Sequence, residues 1–316
     1  MREIGYRAVD RIVDHLAGLS EQRVARRATA AELAAMVDEV LPRQGRGADD
    51  TLRFFFDRVV PGMTHVNHPR FHAYVPAPGS FYGTIGEILA AGTNPFVGSW
   101  LGGATVSSLE LTVLRWIAEA VGYDASAAGL FTSGGSLANL IALASARQRF
   151  GAATANDVLY FSEQGHQSVE KAARILGYDD SSVRRLAVDE SFRLDVDALE
   201  RTIAGDRRRN RRPTLVCANA GTTNTGAVDP LTEIAEVCRR EGLWFHVDAA
   251  YGGFAAISKA GRRRLEGMQL ADSLTLDPHK WLSAPMGTGC VLVKDRESLE
   301  GAFRAEADYL KDVPRD

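Results

Sequence analysis

Apolar residues recur at helical spacing at the start of the chain. Ile4, Val9, Ile12, Val13 and Leu16 keep to a 3.6-residue repeat, and residues 1 to about 60 read as helical. A second helix is expected from about Thr29, a candidate N-cap, to Leu41, just before Pro42. The periodicity is then lost in a Pro/Gly-rich stretch from Pro61 to Gly103, which contains His68-Pro69-Arg70-Phe71-His72 and Pro76-Ala77-Pro78-Gly79. Such a segment reads as a wrapping arm or a site-forming loop around a short helix near Gly83–Ala91. Beyond about Thr105, short apolar runs alternate with helical patterns. Strands are expected at Val158–Phe161, Val183–Ala187, Thr214–Ala218, Trp244–Val247, Ser273–Leu276 and Cys290–Val293, with helices at His166–Leu176, Val196–Ile203 and Leu231–Arg240. Strands apolar on both faces and separated by helices predict an α/β fold with a mostly parallel sheet flanked by helices. The organisation expected is an N-terminal helical arm with a pocket segment over 1–104, then a large α/β domain over 105–316.

Composition adds bounds. At 316 residues the chain can bury a large core, and its 45% hydrophobic and 24% charged residues are ordinary for a globular protein. The net charge of -3 argues against a nucleic-acid partner; the basic run Arg207-Arg208-Arg209-Asn210-Arg211-Arg212 reads as a solvated turn. Cys217, Cys238 and Cys290 are widely spaced and lie in apolar patterns, as core thiols of a reducing compartment do. The N-terminus has no apolar signal core and no stretch reaches membrane-span length, so a cytoplasmic protein with no membrane association is expected. His65, His68 and His72 have a spacing that could serve a metal, but no carboxylate or cysteine accompanies them, and no metal is expected.

Four segments carry candidate chemistry. Phe131-Thr132-Ser133-Gly134-Gly135-Ser136-Leu137-Ala138-Asn139 leads into a helix. Its glycines allow close backbone approach, the helix N-terminus suits an anion, and Ser136 is a candidate N-cap and phosphate donor. Without a following GKS or GKT it is not a Walker loop, and alone it reads equally as a turn and cap. In Gln164-Gly165-His166-Gln167-Ser168-Val169, His166 follows a strand where α/β ligand sites form, although it could simply start the next helix. The run Leu243-Trp244-Phe245-His246-Val247-Asp248-Ala249-Ala250-Tyr251-Gly252-Gly253 ends an apolar strand in a carboxylate with small residues beside it. That carboxylate could hold a pyridine nitrogen protonated, bind a metal or cap a helix. In Asp272-Ser273-Leu274-Thr275-Leu276-Asp277-Pro278-His279-Lys280-Trp281, a lysine follows a strand and a proline turn among apolar neighbours, where it can act as an amine nucleophile on an aldehyde.

The order and spacing of these segments resemble the group II pyridoxal-phosphate-dependent amino-acid decarboxylases, the fold-type-I family that includes aromatic-L-amino-acid decarboxylases. The likeness runs from about residue 60 onward and is most specific in His246-Val247-Asp248-Ala249-Ala250-Tyr251 and Pro278-His279-Lys280-Trp281. It implies that Lys280 holds pyridoxal 5'-phosphate as a Schiff base and that Asp248 pairs with the pyridine nitrogen. By the same resemblance, His166 stacks on the ring and contacts the substrate carboxylate, while Gly134, Gly135 and Ser136 cradle the phosphate. Thr223 and Ala250 take opposite faces of the ring, and His279 lies near the phosphate or the lysine. Asp277 stands where some relatives carry asparagine close to the phosphate, and an acid there repels the dianion unless turned away or hydrogen-bonded.

The implied activity is decarboxylation of an L-amino acid to its amine and CO2. Residues 64–100 resemble the stretch that shapes the family's side-chain pocket, often across a homodimer interface. Tyr74 keeps an aromatic character there, next to Pro76, whereas Val66, Val75 and Gly98 stand where aromatic decarboxylases place bulkier rings. This favours an aromatic substrate in a reshaped or roomier pocket. The chain stops at Tyr309-Leu310-Lys311-Asp312-Val313-Pro314-Arg315-Asp316, about where the family's mobile catalytic loop begins. A small C-terminal domain is therefore expected to be missing, whether the chain is one piece of a protein cleaved in the loop, a partial chain or a shortened natural protein; only the first of these implies a complementary C-terminal fragment as partner. Since a tyrosine of that loop separates decarboxylase from aldehyde synthase, both outcomes stay open, as do other fold-type-I lyase or aminotransferase activities.

Overall fold

The computed structural model describes residues 1–75 and 78–304, with only the backbone of Leu101. The chain forms two compact units, Met1–Pro78 and Gly79–Asp316. The boundary thus falls after residue 78 rather than 104. Residues 79–104 pack with the second unit: Ser80 N–H donates to Ser283 O at 2.8 Å, and a Cβ on Gly83 would stand 2.9 Å from the Pro285 ring.

The first unit holds α1 (Arg2–Ala17), α2 (Ala30–Val37) and α3 (Ala48–Phe54). Thr29 caps α2 as expected, in a reciprocal capping box. Its Oγ1 accepts from Glu32 N–H at 3.2 Å, and Glu32 Oε2 accepts from Thr29 N–H at 2.7 Å. The helix ends at Val37 rather than Leu41. Val40 and Leu41 are 90% and 91% exposed, so no apolar packing is available to carry the helix to Pro42. Of the three histidines weighed as metal ligands, His68 spends both ring nitrogens on backbone: Nε2 donates to Gln22 O (3.1 Å) and Nδ1 accepts from Arg70 N–H (2.9 Å). The His65 ring lies 5.3 Å from that of His15.

The second unit begins with α4 (Phe81–Thr93) and α5 (Trp100–Val121), which is kinked at Gly103. Then follow β1 (Ala128–Thr132), α6 (Gly135–Phe150), β2 (Asp157–Ser162), α7 (Gln167–Ile175), β3 (Val183–Leu186), α8 (Val196–Arg208), β4 (Arg212–Asn219) and α9 (Leu231–Glu241). The remainder is β5 (Trp244–Asp248), α10 (Lys259–Arg264), β6 (Ser273–Leu276), α11 (Pro278–Trp281), β7 (Gly289–Val293) and α12 (Arg296–Phe303). The strands form one sheet in the order β1-β7-β6-β5-β4-β2-β3. Six run in the same direction; β7 is antiparallel to both its neighbours, β1 and β6.

Period-two alternation splits the strand side chains between two apolar layers. Val158, Tyr160, Val216, Phe245 and Val247 pack with Leu114, Ile117, Leu199 and Ile234 on one face. Leu159, Phe161, Leu215, Cys217 and Trp244 pack with Ala138, Ile141, Val169 and Ala172 on the other. Each large side chain buried in this way contributes roughly 1.5–3 kcal/mol, which is what holds strands of only four to eight residues in a single sheet. At the amino edge, the fully buried Asp206 accepts from Arg184 Nη2 (2.8 Å), Arg184 Nε (3.1 Å) and Tyr160 Oη (3.1 Å).

Candidate active site

Because β1, β2, β4, β5 and β6 run the same way, the segments leaving their carboxyl ends meet along one edge of the sheet, where open α/β sheets bind ligands. β7 runs in the opposite direction, so its preceding loop reaches the same edge. A cavity of about 310 Å³ lies there, the size of a small-ligand site. Its walls come from Ser133–Ser136 after β1, His166 after β2, Gly221–Thr223 after β4, Asp248 at the end of β5 and Ala250 after it, Asp277, His279 and Lys280 after β6, and Met286–Gly287 before β7. Gly134, Gly135, Ser136, His166, Thr223, Asp248, Ala250, Asp277, His279 and Lys280, ten residues singled out in the sequence, are all among them.

Gly134 (φ +93°) is the N-cap of α6, and its side chain–free position gives no capping hydrogen bond. Ser136 is therefore the second helical residue, not the N-cap; φ +93° with ψ 172° at the cap lies in a backbone region that is essentially glycine's alone. The first backbone bond recorded at this end runs from Ala138 N–H to Gly134 O (3.3 Å), and the three preceding N–H groups have no acceptor within the helix. A Cβ on Gly135 would stand 2.9 Å from Asp277 Oδ2 and 3.1 Å from the Ala250 methyl, so only glycine lets α6 approach Asp277 this closely.

Lys280 Nζ lies 3.0 Å from Asp277 Oδ2, and His279 Nε2 lies 4.0 Å from the same oxygen. Asp277 is almost fully buried. Burial raises its carboxyl above the ordinary aspartate range, with Lys280 and His279 opposing the rise. Its Oδ1 is buried with no hydrogen-bond partner among the described residues. His279 Nδ1 donates to Thr288 O at 2.7 Å, which fixes that ring. Asp248 is held from two sides: Oδ1 accepts from Ala250 N–H (3.1 Å) and Oδ2 from Asn139 Nδ2 (2.8 Å). His166 is both the N-cap of α7 and a cavity residue, so the two readings of it hold together.

Among the residues expected to shape the side-chain pocket, Val66, Tyr74 and Val75 belong to the first unit, and Pro76 lies outside the described residues. Gly98 lies between α4 and α5, where the Phe96 ring would stand 2.6 Å from an added Cβ. The cavity is lined from the second unit, and Gly98 is not on its wall. Tyr309–Asp316, where the catalytic loop was expected to begin, also lies outside the described residues. Sequence reasoning missed Asn139, Ser168 and His246 as site residues. The signal available for His246 was its place two residues before Asp248 on the same strand face.

An amine, a held carboxylate and an uncapped helix N-terminus around one cavity define a class of α/β protein suited to an anionic, carbonyl-bearing ligand. Comparison places the chain within it. The pyridoxal-dependent decarboxylase conserved domain matches residues 31–316, and the chain belongs to that family. It is 42% identical over 313 residues to an aromatic-L-amino-acid decarboxylase of Bacillus atrophaeus, covering 99% of this chain and 65% of that protein. It is also 31% identical over 324 residues to a phenylacetaldehyde synthase of Arabidopsis thaliana, covering 98% of this chain and 66% of that one. In three dimensions it superimposes on Oryza sativa TDC solved with PLP and tryptamine, with a TM-score of 0.93, 30% identity, and 99% and 67% of the two chains covered. The chain thus spans about two thirds of the length of these relatives. Among the described residues, no helix is long and apolar enough to cross a membrane.

Proposed function

We propose that the protein is a pyridoxal-phosphate-dependent carboxy-lyase that converts an L-amino acid, an aromatic one favoured, to its amine and CO2. The observation that carries this reading is Lys280 on the wall of the same cavity as Asp248 and the uncapped N-terminus of α6. These residues fit the cofactor: a lysine amine for its aldehyde, a carboxylate for its pyridine nitrogen, and free N–H groups for its phosphate. The bound cofactor supplies an electron sink for the pair left at Cα when the carboxylate departs. Lys280 would hold the cofactor through its amine, which is a nucleophile only when unprotonated. Asp248, held by two N–H donors, keeps its carboxylate aimed at the ring nitrogen. Gly134, Gly135 and Ser136 would bind the phosphate, with His279, its ring fixed by Thr288, as a further residue for it. Thr223 and Ala250 pack against the ring, and His166 covers it and orients the substrate carboxylate. Asp277 turns Oδ2 toward Lys280 Nζ at 3.0 Å in the cofactor-free chain.

The aromatic preference is supported by the 42% identical relative and assigns Val66, Tyr74, Val75, Pro76 and Gly98 to the substrate side chain. A second reading, an aldehyde synthase, is supported by the similarity to the phenylacetaldehyde synthase. A homodimer is supported by the apolar residues that α4, α5 and the segment between them leave exposed, among them Leu89, Phe96, Val97 and Leu109. A cytoplasmic location is supported by three buried free cysteines. The test is to incubate the purified protein with pyridoxal phosphate and a panel of L-amino acids. Amine with CO2 supports decarboxylation, aldehyde with ammonia and peroxide supports the synthase reading, and Lys280→Ala should abolish either product together with the visible absorbance of the bound cofactor. Unchanged absorbance and turnover in Lys280→Ala would sink the assignment.

A further inference from the structure

Behind the cavity, a continuous line of buried side chains ends on Asp248. Trp244, His246 and Asp248 alternate along β5 and share the face turned toward α6. Trp244 Nε1 donates to Ser273 Oγ at 2.8 Å; Ser273 Oγ lies 2.8 Å from His246 Nδ1; His246 Nε2 lies 3.1 Å from Asn139 Oδ1; Asn139 Nδ2 lies 2.8 Å from Asp248 Oδ2. A second arm leaves the same amide: Asn139 Nδ2 also lies 2.9 Å from Ser168 Oγ, which lies 2.7 Å from His166 Nδ1. Asn139, Ser168, His246 and Ser273 are all at least 95% buried, so water does not substitute for any of these partners.

The chemistry of the Asp248 end fixes the direction of the bonds at Asn139. An indole N–H can only donate, and a carboxylate only accepts. Asn139 must then turn both amide hydrogens to Asp248 and Ser168 and its oxygen to His246, because a flipped amide would set oxygen against carboxylate. His246 must carry a proton on Nε2, and its Nδ1, which lies 2.8 Å from the Ser273 hydroxyl and 3.2 Å from the Ser273 carbonyl, accepts from that hydroxyl when the ring is neutral. Burial supports this neutral form by pushing the His246 imidazole down to about 4, with Asp248 and the Ser273 backbone carbonyl opposing. Along the second arm, Ser168 accepts from Asn139 and so gives its own hydrogen to His166 Nδ1. That leaves the proton of neutral His166 on Nε2.

We propose that Asn139 is a positioning residue that sets the orientation of Asp248 and the tautomer of His166 together, with neutral His246 as the donor that locks its amide. Asn139 links the group expected at the ring nitrogen to the one expected over the ring face, so disturbing it should be felt at both. The inference rests on the pyridoxal-phosphate reading of the cavity, and its test separates the two.

In the cofactor-free chain, imidazole nitrogen NMR should find His246 protonated on Nε2 and not titrating between about pH 5.5 and 8. In the wild-type chain with nitrogen-labelled pyridoxal phosphate, the ring nitrogen should be protonated at neutral pH. Asn139→Leu should weaken cofactor binding in equilibrium dialysis by about tenfold to a hundredfold and lower the pH at which the ring nitrogen loses its proton. His246→Leu should change both in the same direction, and His246→Gln, whose amide can donate to Asn139, should restore much of the loss. If Asn139→Leu does not fold, Asn139→Ser, too short to reach all three partners, takes its place. A folded Asn139 variant with wild-type affinity and wild-type ring-nitrogen titration overturns the inference, as does His246 protonated on Nδ1. A wild-type chain that takes up no cofactor overturns the functional reading, and this inference with it.

Discussion

Replacing Lys280 by methionine removes the ammonium 3.0 Å from the buried Asp277 carboxylate. At that separation the attraction is roughly 5 kcal/mol for an effective dielectric constant of about 20. Lys280 keeps a fifth of its side chain in solvent, which discounts this figure. The remaining cost is that of an uncompensated buried charge, and a loss of about 3 kcal/mol in the cofactor-free chain at pH 7 is expected. The pH dependence follows from Asp277. Burial already raises its folded carboxyl above the unfolded value, and loss of Lys280 removes the main opposing influence. A raised acid adds stability that is fully present below the unfolded value and is lost as pH climbs through the folded one. The deficit of Lys280→Met should therefore be small near pH 4 and grow toward neutrality. Asp277→Asn in the same background should recover most of it, since the amide carries no charge to strand. Urea unfolding followed by circular dichroism at about pH 5 and 7 measures all three chains. A deficit equal at both pH values, or a double variant no more stable than the single one, would refute the electrostatic account.

Other consequences can be measured separately. Gly135→Ala places a methyl against Asp277 Oδ2 and the Ala250 methyl, and should cost about 1–3 kcal/mol in the apo chain while weakening cofactor binding more than tenfold; dialysis and urea titration report the two effects. Asp206→Ala strands Arg184 and Tyr160 at the opposite edge of the sheet and should cost about 3–5 kcal/mol in urea unfolding with no change in cofactor affinity. His246, held neutral by burial, has a folded value of about 4 against 6.5 in the unfolded chain, so the unfolded state takes the proton first as pH falls. Wild type should lose stability between about pH 6.5 and 4, and His246→Gln should lose less over the same window, as pH-dependent thermal melts would show.

Much of this architecture could be read from the sequence because its cause is local. Of the strands from β2 to β7, all but the edge strand β3, Val183–Leu186 with Arg184 and Arg185, are short, mostly apolar runs buried on both faces; the structure extends the six expected runs by at most three residues in all but β3, which stops one residue earlier at Leu186. β1 escaped notice: Ala128–Thr132 is an edge strand carrying Gly129 and is mostly half-buried, so it lacks a continuous apolar signature. The end of α2 was misplaced because Pro42 marks where a helix must stop, whereas packing decides where it does stop. In the site, Lys280, Asp248 and the glycines are ambiguous one by one and become legible because four separated segments occur together in one order and spacing. Asn139 and His246 do not: an asparagine within a helix and a histidine within a strand acquire meaning only when α6 is laid across β5. The face-sharing of Trp244, His246 and Asp248 was visible in the sequence, but the amide that joins them to His166 lies more than a hundred residues away.

The single antiparallel strand completes the site in a way that six parallel strands could not. Parallel strands deliver their carboxyl-end loops to one edge, and each contributes a segment that leaves toward a helix. β7 arrives from the other direction, so the turn at Met286–Gly287 and Thr288 just before it reach that edge. Two consequences are visible. Thr288 presents its carbonyl to His279 Nδ1, and Gly289 passes so close to Gly134 and Asp277 that a Cβ there would stand 2.6 Å from the former and 2.7 Å from the latter. The β7 backbone thus presses Asp277 between two glycines and leaves the carboxylate with Lys280 as its nearest cation. Substitutions that shift β7 by even a few tenths of an ångström should therefore act on Lys280 through Asp277, although β7 itself supplies no ionisable group to the cavity.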